Sequence, residues 1–171
     1  MEVNHQDDIY SVAFLARAKE VVSAGKEQMI RRWQIEDGTE VGTPINPGGP
    51  IWSIVVSRDG KWIVSGTESG QVTVWNAESH EKVTEFKAHS NWMRALDVSH
   101  DGTKIATGSD DKSVCVWLLS TGQRLLGPLL HHSFFVAAVK FSPNGYCIAT
   151  ATWFRNSVQV YYGGNGSLDP Q

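Results

Sequence analysis

Four side chains near the middle of the sequence have types that could act together in chemistry. They are an imidazole, a hydroxyl, a carboxylate and an indole: His89, Thr107, Asp111 and Trp117, at offsets of 0, 18, 22 and 28 residues. A hydroxyl, an imidazole and a carboxylate are the groups of a hydrolase triad. Against a hydrolase stand the threonine in place of serine, the recurrence of the set in incomplete form, and the lack of a GxSxG nucleophile motif. We therefore expect the set to be structural and the protein not to be an enzyme.

The elements that position these side chains are three short segments of β type, Met93–Val98, Lys104–Thr107 and Ser113–Trp117. An Asp-Gly dipeptide, which is a strong hairpin signal, separates the first two segments, and a short polar segment separates the second from the third. Strands that are joined by tight turns pair as an antiparallel meander. The sequence thus predicts a small antiparallel sheet around the set.

The same spacing recurs along the whole chain. Trp33, Trp75 and Trp117 are 42 residues apart, and Tyr161 follows after 44. Hairpin dipeptides keep the same phase, at residues 59–60, 101–102 and 144–145. A fixed period of this length indicates a repeat protein.

The period predicts four repeats, at about residues 5–45, 46–87, 88–130 and 131–162. Each repeat has three inner strands. The segments that link the repeats are predicted as outer fourth strands: Glu40–Ile45, Lys82–Phe86 and Arg124–Leu130. Residues 163–171 are rich in glycine and are predicted to be a flexible tail, so the last repeat is expected to lack its outer strand.

Composition and charge exclude several classes of protein. With 171 residues, 41% hydrophobic content and a net charge of −3, the chain reads as an ordinary globular protein without the basic stripe of a nucleic-acid binder. Cys115 and Cys147 lie inside predicted strands and are expected to be buried, reduced thiols. No CxxC or HExxH motif suggests a metal or cofactor, and no apolar run is long enough for a membrane helix. We expect a cytoplasmic location, with a nuclear one left open.

Units of about 40–45 residues with four strands, the third ending in Trp, are typical of β-propeller blades. On these features the chain resembles the WD-repeat β-propeller family over roughly residues 1–162. Residues 88–117 follow the family pattern nearly position for position, and residues 51–76 are nearly as close. No repeat ends in Trp-Asp, and Pro47 occupies the His position of the second repeat. The resemblance implies an all-β fold of four-stranded antiparallel blades.

The resemblance also implies that the His, Ser or Thr, Asp and Trp of a repeat form a buried hydrogen-bond network. In the third repeat the implied members are the complete set described above. The first and second repeats keep parts of it: His5, Ser23 and Trp33 in the first, and Ser65 and Trp75 in the second. Glu27 and Ser69 lie at the acid positions of these two repeats, and we expect both to contribute less than Asp111.

The fourth repeat departs furthest from the family pattern. Counting back from Tyr161 gives Ala151 at the hydroxyl position and Arg155 at the acid position. We therefore expect only His132 to remain from the network in this repeat.

In WD-repeat proteins, partners commonly bind the face that carries the loops entering the inner strands and the tight turns that follow. The corresponding positions here are Asp8, Tyr10, Lys26, Pro50, Trp52, Glu68, Trp92, Arg94, Asp110, Phe135, Ala137 and Phe154. Trp, Tyr and Arg are enriched in binding hot spots, although Tyr10 and Trp52 could equally pack between blades. Trp92 and Arg94 are expected to be the best-organised pair, and to be replaceable by Ala without loss of stability.

The function expected from this resemblance is a non-enzymatic scaffold that binds a protein or peptide. One alternative is a carbohydrate-binding propeller, since stacked aromatic rings also suit sugars. Another is the repeat part of a larger signalling protein. Because WD-type rings usually have seven or eight blades, we expect the chain to self-associate, with two chains forming an eight-blade ring, or else to be part of a longer propeller.

Overall fold

A computed structural model describes residues 5–15, 19–129, 132–154, 158–164 and 167–170. It consists of four antiparallel sheets that follow one another along the chain. The predicted all-β fold is confirmed. In sheet order the strands are β1 (Ile9–Phe14), β2 (Glu20–Gly25) and β3 (Ile30–Gln34); β4 (Ile51–Val56), β5 (Trp62–Thr67), β6 (Gln71–Asn76) and β7 (Lys82–Lys87); β8 (Met93–Val98), β9 (Lys104–Ser109), β10 (Val114–Leu118) and β11 (Arg124–Leu129); β12 (Val136–Phe141), β13 (Cys147–Thr152), β14 (Val158–Gly164) and β15 (Ser167–Pro170).

The predicted hairpins form where the Asp-Gly and Asn-Gly dipeptides lie. In sheet 3 the Ser99 hydroxyl donates to Asp101 Oδ1 at 2.6 Å, and the Thr103 N–H donates to the same oxygen at 3.0 Å. These bonds lower the pKa of Asp101 to about 2. Gly102 has a φ of 70°, a conformation that glycine adopts without strain. Local turn chemistry therefore explains why the hairpins follow the period.

The hydrophobic core lies between successive sheets, in three separate layers. The first layer joins Val22 and Ile30 of sheet 1 to Ile51 and Trp75 of sheet 2. The second and third layers join sheet 2 to sheet 3 and sheet 3 to sheet 4 in the same way. Each periodic aromatic residue of sheets 2 and 3 thus packs against the preceding sheet, which is the stacking expected of propeller blades.

Sheet 4 corrects one prediction. Its strands pair in the order β12-β13-β14-β15, so the last sheet has an outer strand after all. The outer strand β15 pairs Ser167 with Gly164 and Pro170 with Tyr161, and it lies within residues 163–171, which were predicted to be a flexible tail. The intervening dipeptide, Asn165-Gly166, lies outside the described residues, but its type is a two-residue hairpin signal. The glycine content of the segment concealed this signal.

Sheet 1 has three strands among the described residues. The segment predicted as its outer strand, Glu40–Ile45, is joined to β3 by two isolated bridges, Trp33 with Glu40 and Ile30 with Ile45. Between the bridges, Gly42 has a φ of 70° and Pro44 has no N–H to donate. The segment therefore follows the edge of β3 without forming a continuous ladder. The other two predicted outer strands are present as β7 and β11.

The thiol predictions are confirmed in part. Both cysteines are free, Cys115 being buried and Cys147 half-buried. Burial raises the pKa of the Cys115 thiol to about 11, so it is unreactive at neutral pH. Within the described part of the chain, no helix has the length and apolar character needed to cross a membrane.

Candidate functional site

The set of sheet 3 forms one continuous hydrogen-bond network. The Trp117 indole N–H donates to Thr107 Oγ1 at 2.9 Å, and Thr107 Oγ1 lies 2.7 Å from His89 Nε2. On its other side, His89 Nδ1 lies 3.0 Å from Asp111 Oδ2. Because a carboxylate only accepts, Nδ1 carries the proton, and Nε2 accepts from the Thr107 hydroxyl. The predicted order of the network, from indole to carboxylate, is the one observed.

Asp111 does more than orient the imidazole. It accepts from the Ser90 N–H at 3.0 Å and from the Ser113 hydroxyl at 2.6 Å, and the Ser113 hydroxyl also lies 2.9 Å from His89 Nδ1. Burial acts to raise the pKa of Asp111, but hydrogen bonds from His89, Ser113 and Ser90 outweigh it and hold that pKa well below the ordinary range. Asp111 therefore ties the loop before β8 to the turn between β9 and β10. Ser113 was missed in the sequence, since the family pattern gives it no role.

Sheet 1 contains a network of the same form, in which Glu27 takes the part of Asp111; that Glu27 contributes less to stability than Asp111 stays a prediction. His5 Nε2 lies 2.7 Å from Ser23 Oγ, which accepts the Trp33 indole N–H at 2.6 Å. His5 Nδ1 is paired with Glu27, whose carboxylate also accepts from Arg31 Nε at 2.9 Å. The longer Glu side chain reaches the imidazole and still binds a cation. Burial opposes ionisation of Glu27, but Arg31 and His5 lower its pKa.

In sheet 2 the network is short. The Trp75 indole N–H donates to Ser65 Oγ at 3.0 Å, but Pro47 lies where an imidazole would be needed. Ser69, at the acid position, is 2.9 Å from the Thr67 hydroxyl and takes no part in a network with Ser65. The prediction of a reduced set in this sheet is confirmed.

Sheet 4 keeps more of the network than the sequence indicated. Thr150 Oγ1 lies 3.2 Å from His132 Nε2, and the Tyr161 hydroxyl lies 3.3 Å from the same nitrogen and donates to Gln159 Oε1 at 2.9 Å. Tyr161 is paired with Ile148, as Trp117 is paired with Ile105 in sheet 3. Thr150 therefore matches Thr107. Counting back ten residues from Tyr161 gave Ala151, because the turn before β14 is one residue longer than the turn before β10.

The hydroxyl groups of these networks are closed to substrates. Ser23, Thr107 and Thr150 are buried, and the hydroxyls of Ser23 and Thr107 already accept an indole N–H. A nucleophile must reach its substrate, whereas these groups connect strands and loops. Among the residues that the structure describes, no group of three or more His, Cys, Asp and Glu side chains converges in a way that could hold a metal ion. The networks are thus suited to positioning the loops around them.

The loop face carries a run of stacked aromatic rings across sheets 1 to 3, which Arg94 connects to Trp153 of sheet 4. Tyr10 stacks on Trp52 with 4.3 Å between ring centroids, and Trp52 stacks on Trp92 at 4.9 Å. The Arg94 guanidinium lies 4.3 Å from the Trp52 ring centre, 4.8 Å from that of Trp92 and 5.5 Å from that of Trp153. We call Tyr10, Trp52, Trp92, Arg94 and Trp153 the aromatic ladder. Four of its five members were predicted as partner-binding residues.

Arg94 is fixed in the ladder by Asp110. Its Nε and Nη2 atoms each donate to one carboxylate oxygen of Asp110 at 2.8 Å. Asp110 is buried, so removing Arg94 would leave a buried carboxylate without its cation. In contrast to the sequence-based expectation, we therefore expect Arg94→Ala to lower stability. Trp92 is 39% exposed and is the better probe of binding.

Trp153 was missed in the sequence, and Phe154 was named in its place. The Trp153 N–H donates to the Phe135 carbonyl at 3.1 Å, as the Asp110 N–H donates to the Trp92 carbonyl at 3.0 Å. Trp153 therefore occupies the position of Asp110, and the longer turn again explains the shift by one. Trp153 is 49% exposed, and its ring meets that of Phe154, which in turn meets Phe134.

The remaining predicted face residues lie around the ladder. Lys26 is exposed and pairs with Asp7 at 3.2 Å, and Phe135 is exposed beside the sheet 4 end of the ladder. Glu68 is half-buried, and its N–H donates to the Pro50 carbonyl at 3.0 Å. The Trp52 Nε1 atom is buried and has no hydrogen-bond partner among the described residues. The face thus combines exposed aromatic surface with a buried indole N–H that has no partner among the described residues.

Comparison with known families agrees with this geometry. The family model for the WD domain, G-beta repeat, matches residues 38–76, 80–117 and 123–161, which is more than half of the chain. The chain belongs to the WD-repeat family. The matched segments end at Asn76, Trp117 and Tyr161, at the third strands of sheets 2, 3 and 4. Sheet 1 is not matched, although it contains a WD-type network of its own. WD-repeat proteins typically serve as protein-interaction scaffolds and are generally not enzymes.

Solved structures with the same fold include a crystal structure of RRP9 WD40 repeats and a structure of U3-55K. Each is 23% identical in sequence to this chain, with a TM-score of 0.85. Each match covers 98% of this chain and 52% of the other, so the WD-repeat chain described here spans about half the length of these structures. At this identity the similarity shows the fold alone. A search of curated proteins found no match.

Proposed function

We propose that this WD-repeat chain is a non-enzymatic scaffold that binds a protein or peptide through the aromatic ladder and the loops beside it. The observation that carries the proposal is the continuity of the ladder across four sheets, ending in the exposed rings of Trp92 and Trp153. Exposed Trp side chains held in place by stacking and by a buried ion pair are typical of binding hot spots. Such rings offer a large apolar contact at a small entropic cost.

The chemistry of the ladder favours a peptide over a sugar. Sugar rings stack on free faces of aromatic side chains, but Trp52 is covered by Tyr10, Trp92 and Arg94. What the ladder leaves exposed is the surface of Trp92 and Trp153. An apolar side chain of a peptide would cover these exposed rings. A carbohydrate remains the second candidate because Trp153 still presents free ring surface.

The charge of the face also bears on the partner. The single cation of the ladder, Arg94, is neutralised by Asp110, and Lys26 is paired with Asp7. Both cations at the predicted face positions are thus paired with carboxylates, which leaves them less available to phosphate groups. We accordingly propose neither a nucleic acid nor a membrane surface as the partner. The chain could serve in this role by itself or as the repeat part of a larger signalling protein, and a cytoplasmic location stays a prediction.

A binding experiment with matched variants tests the proposal. Peptides that bind the wild-type chain would be selected from a random peptide library and measured by calorimetry, with a glycan array run in parallel. We expect Trp153→Ala and Trp92→Ala each to raise the dissociation constant about thirtyfold or more, which corresponds to ~2 kcal/mol. Tyr146→Ala is the control, because Tyr146 is 66% exposed but lies in the turn at the opposite end of sheet 4.

The outcome distinguishes the candidates. Equal binding by the ladder variants and the control variant would place the site elsewhere. Hits on the glycan array that are lost in Trp153→Ala, with no peptide selected, would establish the carbohydrate reading instead. A hydrolase screen of the wild type beside Ser23→Ala and Thr107→Ala tests the enzyme alternative, because activity that is lost in either variant would contradict a purely structural network.

A further inference from the structure

Among the described residues, no further sheet packs on the two outermost faces of the stack, whereas each internal junction is a packed layer between two sheets. The positions that face the preceding sheet are the same in each repeat, as their pairing with the second strand shows. Ile51, Met93 and Val136 share one such position and are fully buried. Their counterpart in sheet 1 is Ile9, which is 45% exposed. The first sheet thus presents an apolar side chain where a preceding sheet would lie.

Two further positions of β1 show the same contrast. Val12 corresponds to the buried Ile54, Leu96 and Val139, yet it is 63% exposed. Phe14 corresponds to the buried Phe141, yet it is 68% exposed. We call Ile9, Val12 and Phe14 the leading face. An apolar strand face of this kind is normally covered in a soluble protein.

The opposite end of the stack has the complementary feature. Ile30, Val72 and Val114 lie at one position of the third strands and are buried against the following sheet. Their counterpart in sheet 4 is Val158, which is 66% exposed. Ala151 and Ala149 lie beside it on the same face, paired with Val158 and Val160. We call Ala149, Ala151, Val158 and Val160 the trailing face.

We propose that a second copy of this chain covers both end faces, the trailing face of each copy packing on the leading face of the other. The chain itself supplies the template, since a trailing-type face meets a leading-type face at each of its three internal junctions. An interface between unlike faces closes into a ring when the rotation per unit is suitable. Two copies give eight sheets, a number at which propellers close.

The internal junctions also specify which residues meet. A Cβ atom built at Gly108 would lie 2.6 Å from Val136 Cγ1 and 3.0 Å from Val139 Cγ1. Ala151 holds the position of Gly108 in sheet 4, because it pairs with Val158 as Gly108 pairs with Val114. In the ring, Ala151 therefore meets Ile9 and Val12 of the second copy. Ala24, at the same position in sheet 1, packs in one cluster with Ile51 and Ile54, so an alanine is accommodated there.

The ring would also extend the aromatic ladder, a consequence that rests on the proposed binding function. Tyr10, Trp52, Arg94 and Ala137 are equivalent positions five residues after the repeat's His position. Within the chain, the members in sheets 1 and 2 stack at 4.3 Å. At the junction, Tyr10 of the second copy lies beside Ala137, next to the exposed Phe135. A peptide bound at this end of the ladder would thus contact both copies.

Light scattering coupled to size-exclusion chromatography tests the pairing at micromolar concentration. We expect a particle of two chains for the wild type and of one chain for Val12→Glu and for Val158→Glu, since each charge would be buried at the junction. Val83→Glu is the matched control, because Val83 is 43% exposed on the outer strand β7, away from both end faces, and this variant should remain a dimer. A wild-type monomer, or an open series of larger particles, would overturn the closed two-chain ring.

A cross-linking experiment covers the case in which a charged variant fails to fold. Cysteines would replace Val12 and Ala151 in one chain that also carries Cys147→Ser, and oxidation should give a covalent dimer on a denaturing gel. The same chain with Val83→Cys in place of Val12→Cys should stay monomeric on the gel. No covalent dimer from the first chain would overturn the proposed contact. Trp153→Ala should leave dimerisation unchanged, so failure of the binding proposal and failure of the ring are separable.

Discussion

Sheets 2 and 3 bury their tryptophans equally well but connect them to very different networks. Trp75 and Trp117 are both buried, and their indole N–H groups donate to Ser65 and Thr107 at 3.0 and 2.9 Å. In sheet 3 the network continues through an imidazole to a carboxylate, whereas in sheet 2 it ends at the hydroxyl, which is 3.5 Å from the Thr73 carbonyl. The indole and hydroxyl half is therefore independent of the imidazole and carboxylate half.

The difference assigns separate tasks to the two halves. The indole and hydroxyl join strands within a sheet whose Trp packs on the preceding sheet. The imidazole and carboxylate join the entry loop to the next turn, through Asp111 and its bonds to Ser90 and Ser113. Sheet 2 holds its entry loop differently, with Gly48 N–H donating to Asn46 Oδ1 at 2.8 Å. The indole and hydroxyl half should thus contribute equally to the stability of sheets 2 and 3. Of these two sheets, the imidazole and carboxylate half should contribute only in sheet 3.

The largest expected effect tests the shared half. Trp117→Ala and Trp75→Ala should each lower the free energy of unfolding by roughly 3–5 kcal/mol, because each leaves a cavity between two sheets. Urea denaturation of the two variants gives the comparison. Since the indoles are equally buried, we expect the two losses to agree within about 1 kcal/mol. A much smaller loss of unfolding free energy for Trp75→Ala would show that the indole and hydroxyl half depends on the imidazole and carboxylate half.

The next effect tests the half that the two sheets do not share. Asp111→Ala should cost on the order of 1–3 kcal/mol, because the imidazole N–H, the Ser90 N–H and the Ser113 hydroxyl lose their acceptor. Ser69→Ala, at the same position of sheet 2, should cost less than about 0.5 kcal/mol. Urea denaturation at neutral pH measures both. Equal losses would mean that the carboxylate is not the group that anchors the loop.

The Asp111→Ala effect should also depend on pH. The folded-state pKa of Asp111 lies below its ordinary value, so ionised Asp111 contributes its full stabilisation above pH of about 4. That contribution is lost as the pH falls through the folded-state value. We therefore expect the difference between wild type and Asp111→Ala to shrink steadily below pH of about 4. Glu27 has a lowered pKa as well, and Glu27→Ala should follow the same course.

The sequence predicted those parts of the fold that depend on local signals. Hairpin dipeptides and periodic Trp residues fix where the strands begin and end, and the network of sheet 3 follows from the same spacing. Counting residues back from the periodic aromatic position failed in sheet 4, because the turn between β13 and β14 is one residue longer than the equivalent turn of sheet 3. This difference concealed Thr150 and Trp153. The sequence-based prediction failed again at the last strand, where a hairpin signal lies within a glycine-rich segment. Equivalent positions are defined by the hydrogen-bonded pairing of strands, and a change in turn length shifts them relative to a count of residues.

The candidate site was less predictable than the fold. Family positions identified Tyr10, Trp52, Trp92 and Arg94, but not that their side chains stack on one another across sheets. Stacking depends on how neighbouring sheets are rotated, which no spacing within one repeat encodes. The pairing of Arg94 with Asp110 was likewise invisible, although both residues had been named separately. Contacts between repeats are thus the part that required the structure.

A smaller effect measures how tightly the two halves are coupled. His89→Ala leaves Asp111 without its main donor, and Asp111→Ala leaves the imidazole without its acceptor. The double variant lacks both groups, so neither is left without its partner. The loss of unfolding free energy should therefore be about 1 kcal/mol smaller than the sum of the two single losses. A double-mutant cycle by urea denaturation gives this coupling energy. Strict additivity would show that the imidazole and the carboxylate act independently.

The smallest expected effect concerns sheet 4, where a tyrosine replaces the tryptophan. Tyr161→Phe keeps the buried ring but removes the hydroxyl, which donates to Gln159 Oε1 at 2.9 Å and lies 3.3 Å from His132 Nε2. Because no cavity forms, the loss should be only about 0.5–1.5 kcal/mol, the net value of one buried hydrogen bond. Tyr162→Phe is the control, since Tyr162 is exposed on the same strand and should show almost no change. If the two variants were equally stable, the Tyr161 hydroxyl would contribute no net hydrogen-bond energy. Sheet 4 would then contain no stabilising link from its periodic aromatic residue to His132.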